Sequence, residues 1–212
     1  MHASRSSHAS RRSPAATLHA LFALLLACTP TPAPVQQAAP ADVEVTQSTL
    51  PPAEALAQLA RETDGKARQP LYRAVRNAPA EAALPALRAA LAAADPALRA
   101  VAAQAASRRD DGATLAPELI ANLTHADPAV RAWTARSLGA LRVGDAIDAL
   151  RRNLAHDHPE TRVSALRAIA RIDMTAASAL PELAALQLDP DARVAGVATK
   201  ISRGIAPIWA GP

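Results

Sequence analysis

At 212 residues the chain has room for one domain with accessory segments. Half of its residues are apolar, only 2% are aromatic and seven are glycine. Much of the apolar content is alanine, which favours closely approaching helices over sheets. Three of the 23 basic residues (Arg5, Arg11 and Arg12) fall in the first 28 positions with no acid beside them, and the other 20 are met by 19 acids. The body of the chain therefore lacks the basic footprint of a nucleic-acid binder.

Residues 1–16 carry arginines and no acids, and residues 17–27 form an apolar run too short to span a bilayer as a stable helix. Together they predict a secretory signal. The only cysteine, Cys28, closes that run in Leu25-Leu26-Ala27-Cys28, which resembles a bacterial lipobox. The resemblance implies that residues 1–28 are a lipoprotein signal peptide and that Cys28 is lipidated and becomes the mature N-terminus. Thr29, standing where an aspartate would retain the protein at the inner membrane, implies the outer membrane facing the periplasm. Acyl chains contribute ~0.8 kcal/mol per buried CH₂, so three would anchor durably where one would not. Residues 29–50 hold Pro30, Pro32, Pro34 and Pro40 and read as a disordered, semi-extended tether. At ~3.1 Å per residue it reaches up to roughly 70 Å.

Beyond the tether a rhythm begins. Pro96/Arg99, Pro128/Arg131, Pro159/Arg162 and Pro190/Arg193 repeat the same spacing at intervals of 32, 31 and 31 residues, and Asp95, Asp127 and Asp189 precede three of the prolines. Such a period in a helix-forming sequence marks stacked helical hairpins. Each marker proline opens the second helix of a hairpin, over residues 96–109, 128–141, 159–172 and 190–203. The aspartate accepts from free N–H groups of the first turn, and proline at the first helical position costs no hydrogen bond. The preceding helices carry leucines at helical spacing: Leu84, Leu87 and Leu91; Leu115, Leu119 and Leu123; Ile147, Leu150 and Leu154; Leu180 and Leu183. Pro85, Pro117 and Pro181 inside three of them predict bends. An earlier, irregular unit is expected with its first helix over residues 51–62, a stop at Asp64-Gly65, and a second helix opening at Pro70.

These residues resemble the HEAT repeat family, in particular the short, alanine-rich form related to phycobilisome-lyase repeats. Leu98-Arg99 and Val130-Arg131 match its signature closely; Thr161-Arg162 and Ala192-Arg193 depart from it, and His158 replaces the turn aspartate. The resemblance implies an all-α fold, an α-solenoid of four to five hairpins over residues 51–203. It also implies a structural ladder in which Asp95, Asp127 and Asp189 pair with Arg99, Arg131, Arg162 and Arg193. The apolar tail, residues 204–212, is expected to fold over the last unit.

In such a stack the second helices line the concave face. Helical counting from each proline places Val101, Gln104 and Arg108, Trp133 and Arg136, Glu160, Ser164, Arg167 and Arg171, and Asp191 on its outward side. Trp and Arg are enriched at binding hot spots, which singles out Trp133 and Arg136, with Gln104, Arg108, Arg167 and Arg171 around them. His125, His156 and His158 occupy corresponding turns and offer a weaker alternative, a metal or ligand site. Catalytic constellations are absent: no cysteine remains beyond Cys28, and no glycine-rich phosphate loop is present. The sequence thus predicts no catalytic residue and no cofactor. The resulting expectation is a membrane-anchored, non-enzymatic scaffold binding a protein or peptide of the bacterial cell envelope. A metal- or ligand-binding protein and a lyase-like enzyme remain the alternatives.

Overall fold

A computed structural model describes residues 50–207. The signal segment, Cys28, almost all of the tether and the end of the tail lie outside them. Among the described residues every element is helical: α1 (Pro52–Arg61), α2 (Gly65–Asn77), α3 (Ala80–Leu91), α4 (Pro96–Ala106), α5 (Ala116–Asn122), α6 (Pro128–Leu141), α7 (Ile147–Arg152), α8 (Pro159–Ile172), α9 (Met174–Ser178), α10 (Leu183–Leu186) and α11 (Ala192–Ser202). Short 3₁₀ turns, Gly112–Leu115 and Gly144–Ala146, lead into α5 and α7. The helices form an α-solenoid. α4, α6 and α8 pack directly on one another as an inner row, and α11 follows α8; α3, α5, α7 and α10 form an outer row.

Aspartate caps set the register. The Asp95 carboxylate accepts from the Ala97 N–H at 2.9 Å and that of Asp127 from the Ala129 N–H at 2.7 Å, each with proline in the first turn. Such a cap contributes about 1 kcal/mol. Leucines of the outer row then point inward: Leu87, Leu91, Leu115, Leu119, Leu123 and Leu150 are all buried. The inner row is lined with small residues, Ala132, Ala135 and Gly139 on α6 facing Ala165 and Ala168 on α8. At Gly139 the approach is so close that an added Cβ would lie 2.8 Å from the Ala168 Cα. Ser137 ties α6 to α4 by donating to the Ala103 carbonyl at 2.7 Å.

The expected ladder exists with different rungs. Arg99 donates to the Asn122 Oδ1 at 2.9 Å and Arg131 to the Asn153 Oδ1 at 3.4 Å, and each also binds carbonyls of its own inter-helix turn. The buried Asn122 in turn donates to the Leu91 carbonyl at 3.0 Å. Asp95 and Asp127 are caps, not rungs: in each the Oδ1 accepts from the N–H two residues on. Of the four arginines only Arg162 pairs with one of the expected aspartates, Asp189, through bonds of 2.8 and 2.7 Å, while Arg193 pairs with Asp191 at 3.0 Å. Asp189 does not cap α11; Asp191 does, accepting from the Arg193 N–H at 2.9 Å. Arg193 reaches back to Glu160 on α8 at 2.7 Å instead of forward to a further unit.

Two expectations about prolines, at Pro117 and Pro181, and one about the first unit also change. Pro117 sits in the first turn of α5, where its missing N–H costs nothing, and α3 continues through Pro85. Pro181 falls between α9 and α10 and divides the last outer helix into two short pieces. Asp64-Gly65 starts α2 rather than stopping a helix: the Asp64 side chain accepts from the Lys66 N–H, and Pro70 lies inside α2. The C-terminus of α2 is capped by Arg109, which donates to the carbonyls of Val75, Arg76 and Ala78 while Asp111 holds its other nitrogens. That bidentate grip pulls the Asp111 carboxyl below its usual range.

Candidate partner-binding face

The exposed edge of the inner row carries the residues singled out above, but not all on the same terms. Helical counting treats the second helices as having one free side; the packing of α4 on α6 and α6 on α8 buries both flanks. Val101, Gln104 and Ser164 are therefore buried. Gln104 accepts a hydrogen bond from the Tyr72 hydroxyl, and Arg68 donates to the same hydroxyl at 2.9 Å. Arg108 lies over the Tyr72 ring, 4.3 Å from its centre. This cluster joins α2 to α4, so Gln104 is a structural link and Arg108 a half-buried lid upon it.

Trp133 and Arg136, one turn apart on α6, come together. The Arg136 guanidinium lies 4.7 Å from the centre of the Trp133 ring, an arrangement that orders both side chains through the ring quadrupole. Arg136 also pairs with Glu160 of α8. Trp133 packs against the core and remains half-exposed, presenting apolar area already fixed in place. Pre-ordered aromatic area costs little entropy when a partner covers it. Glu160 ties the strip together: one oxygen accepts from Arg136 and the other from Arg193. Arg167 and Arg171 continue along α8, the first half-buried and the second exposed. Desolvation, and next the Arg136 charge, lower the Arg167 pKa.

The histidines have another task. His125 Nδ1 accepts from the Asp127 N–H and His156 Nδ1 from the His158 N–H, both at 3.0 Å, which closes the turns before α6 and α8. Burial, and next the Arg131 charge, lower the His156 pKa, in keeping with a neutral acceptor. Among the described residues no group of three or more His, Cys, Asp and Glu side chains is placed to hold a metal ion. His125, His156 and His158 thus do not assemble as ligands.

Sequence reasoning missed Asn122, Asn153 and Arg109. A signal existed for the first two, since they stand 31 residues apart in the rhythm of the prolines. Arg109 had none, because its partners are carbonyls of another unit.

Residues 116–200 match the family model described as HEAT repeats. That segment carries HEAT repeats. The matched span runs from the start of α5 into α11, and α1 to α4 extend the helical stack on its N-terminal side. HEAT repeats commonly mediate protein–protein interaction and are typically non-catalytic scaffolds. A search of curated proteins finds no significant match. Among solved structures, the crystal structure of an engineered protein is similar over 74% of this chain and 87% of its own, at 21% identity and a TM-score of 0.48. That degree of likeness supports no functional statement.

Proposed function

We propose that this HEAT-repeat protein is a lipid-anchored, non-enzymatic scaffold of the bacterial cell envelope that holds a protein or peptide partner on the edge of its inner helix row. The observation that carries the binding reading is the Trp133–Arg136 pair: a half-exposed indole fixed by a guanidinium, which Glu160 in turn holds. The position of Cys28 in its lipobox-like setting supports the anchoring. The tether of residues 29–50 would raise the concentration of the solenoid near envelope partners without fixing its orientation.

Crosslinking in native membranes, followed by capture of the chain, tests the binding face. A partner recovered with the unaltered chain and lost with Trp133→Ala and with Arg136→Ala supports it; recovery unchanged in both variants removes the face as drawn. Cys28→Ala tests the anchor separately. It is expected to accumulate as unprocessed precursor, and normal maturation of that variant would refute lipidation.

A further inference from the structure

At the C-terminal end of α8 lies a cavity of about 480 Å³ whose charged lining is entirely basic: Arg142, Arg167 and Arg171, beside Ile172, Met174 and Pro207. Among the described residues none of the three arginines forms an ion pair, and the shielded Arg167 Nε has no hydrogen-bond partner. The neighbouring carboxylates are engaged elsewhere. Glu160 serves Arg136 and Arg193, Asp189 serves Arg162, and Asp173 accepts from the Ala176 N–H at the start of α9. A buried donor left without a partner is costly, so an acceptor entering the cavity recovers that penalty.

Arg142 adds an independent observation. It terminates α6 in the left-handed conformation, φ 53° and ψ 43°, where helices ordinarily place glycine. No other described non-glycine residue has a positive φ. An arginine in that position strains the backbone and delivers its guanidinium to the same cavity as Arg167 and Arg171.

We infer that Arg142, Arg167 and Arg171 form a receptor for an acidic segment of a partner polypeptide, carboxylates on the guanidinium groups and an apolar side chain against Ile172 and Met174. The inference rests on the scaffold reading and specifies the partner's chemistry. Guanidinium forks match carboxylates in bidentate geometry, and the cavity falls within the range of specific ligand sites. Among the described residues no aromatic side chain lines it to stack a base, and the near balance of charge after residue 28 argues against nucleic acid. Residues 208–212 carry no acidic side chain.

The test is a fluorescence-anisotropy titration of the full chain with a labelled Glu-Leu-Glu-Glu-Leu-Glu peptide and its Gln counterpart. Saturable binding of the Glu peptide is expected, with the Gln peptide at least about tenfold weaker. Arg171→Ala and Arg142→Gly are each expected to weaken binding about tenfold. Arg142→Gly is also expected to raise the melting temperature, which separates lost binding from lost folding. Arg152→Ala, on the outer row, is expected to change nothing. Equal binding of the two peptides, an equal loss in Arg152→Ala, or displacement by equimolar inorganic phosphate would each overturn the inference. So would peptide binding seen only after deletion of residues 208–212, which would make the chain's own tail the occupant. If Trp133→Ala abolishes partner capture while the arginine variants leave peptide and partner untouched, the acidic-segment inference alone falls. If Trp133→Ala leaves capture intact, the binding face falls and this inference with it.

Discussion

The α6–α8 and α8–α11 junctions come from the same repeat, yet they are held together by different physics. The first is dry and close: Gly139 meets the backbone of Ala168, and the rung is the neutral Asn153. At the second, Pro181 divides the outer helix and the rung is an ion pair, Arg162–Asp189, with side chains only 12% and 7% exposed. A cavity of about 770 Å³ opens there between the outer helices, lined by Arg152, Leu154 and the 86%-exposed Leu188. Where small residues let helices touch, dispersion and burial suffice; where the outer helix is broken, a charged clamp supplies what packing does not.

That contrast yields predictions of graded size. Arg162→Ala leaves Asp189 charged, nearly buried and unpaired, and is expected to cost about 3 kcal/mol in chemical denaturation, with protease sensitivity increased at α11. Gly139→Val drives a side chain into Ala168 and is expected to cost about 2 kcal/mol without exposing α11. Equal protease sensitivity of α11 in the two variants would erase the distinction between the junctions.

The two junctions should also separate by pH. The hydrogen bonds from Arg162 hold the Asp189 carboxyl below its ordinary value. Its contribution is therefore fully present above the normal carboxylate range and is lost as pH falls toward the depressed folded-state value. Denaturation midpoints measured down an acid series should fall, and fall less steeply in Asp189→Asn. The neutral Asn153 rung should confer no such slope, and a fall of the same steepness in Asp189→Asn would show that other groups govern acid stability.

Smaller effects of opposite sign sharpen the comparison. Arg142→Gly relieves the left-handed residue after α6 and is expected to stabilise by about 1 kcal/mol in the melting transition. Thr161 is buried where the corresponding units carry Leu98 and Val130, and its hydroxyl has no partner among the described residues. Thr161→Val is expected to stabilise by about 1 kcal/mol, measured by chemical denaturation. A loss of stability would show that the hydroxyl is satisfied by water.

Much of the fold was readable because the repeat writes local physics four times over. Aspartate before proline marks a helix start, and α4 and α6 begin at Pro96 and Pro128 under such caps, while α8 opens at Pro159 after His158, whose side chain makes no cap bond. The departures have tertiary causes. Asp189 takes Arg162 of the previous unit while still accepting from the Asp191 N–H, and α11 starts at Ala192 under Asp191 instead of at Pro190. Gln104 and Ser164 were expected on an open face and are buried, because inner helices have neighbours on two sides. The Trp133–Arg136 pair was readable from one-turn spacing, whereas the convergence of Arg142 with Arg167 and Arg171 was not, since it joins the end of α6 to the end of α8.

The sequence by itself determined the repeat, the starts of α4, α6 and α8 and the leucine face, because capping and helical periodicity act within a few residues. Tertiary structure alone decided which arginine is a rung, which is a cap and which is left with its charge unpaired. Those roles depend on what the next hairpin brings within hydrogen-bond reach, and no spacing along one helix encodes that.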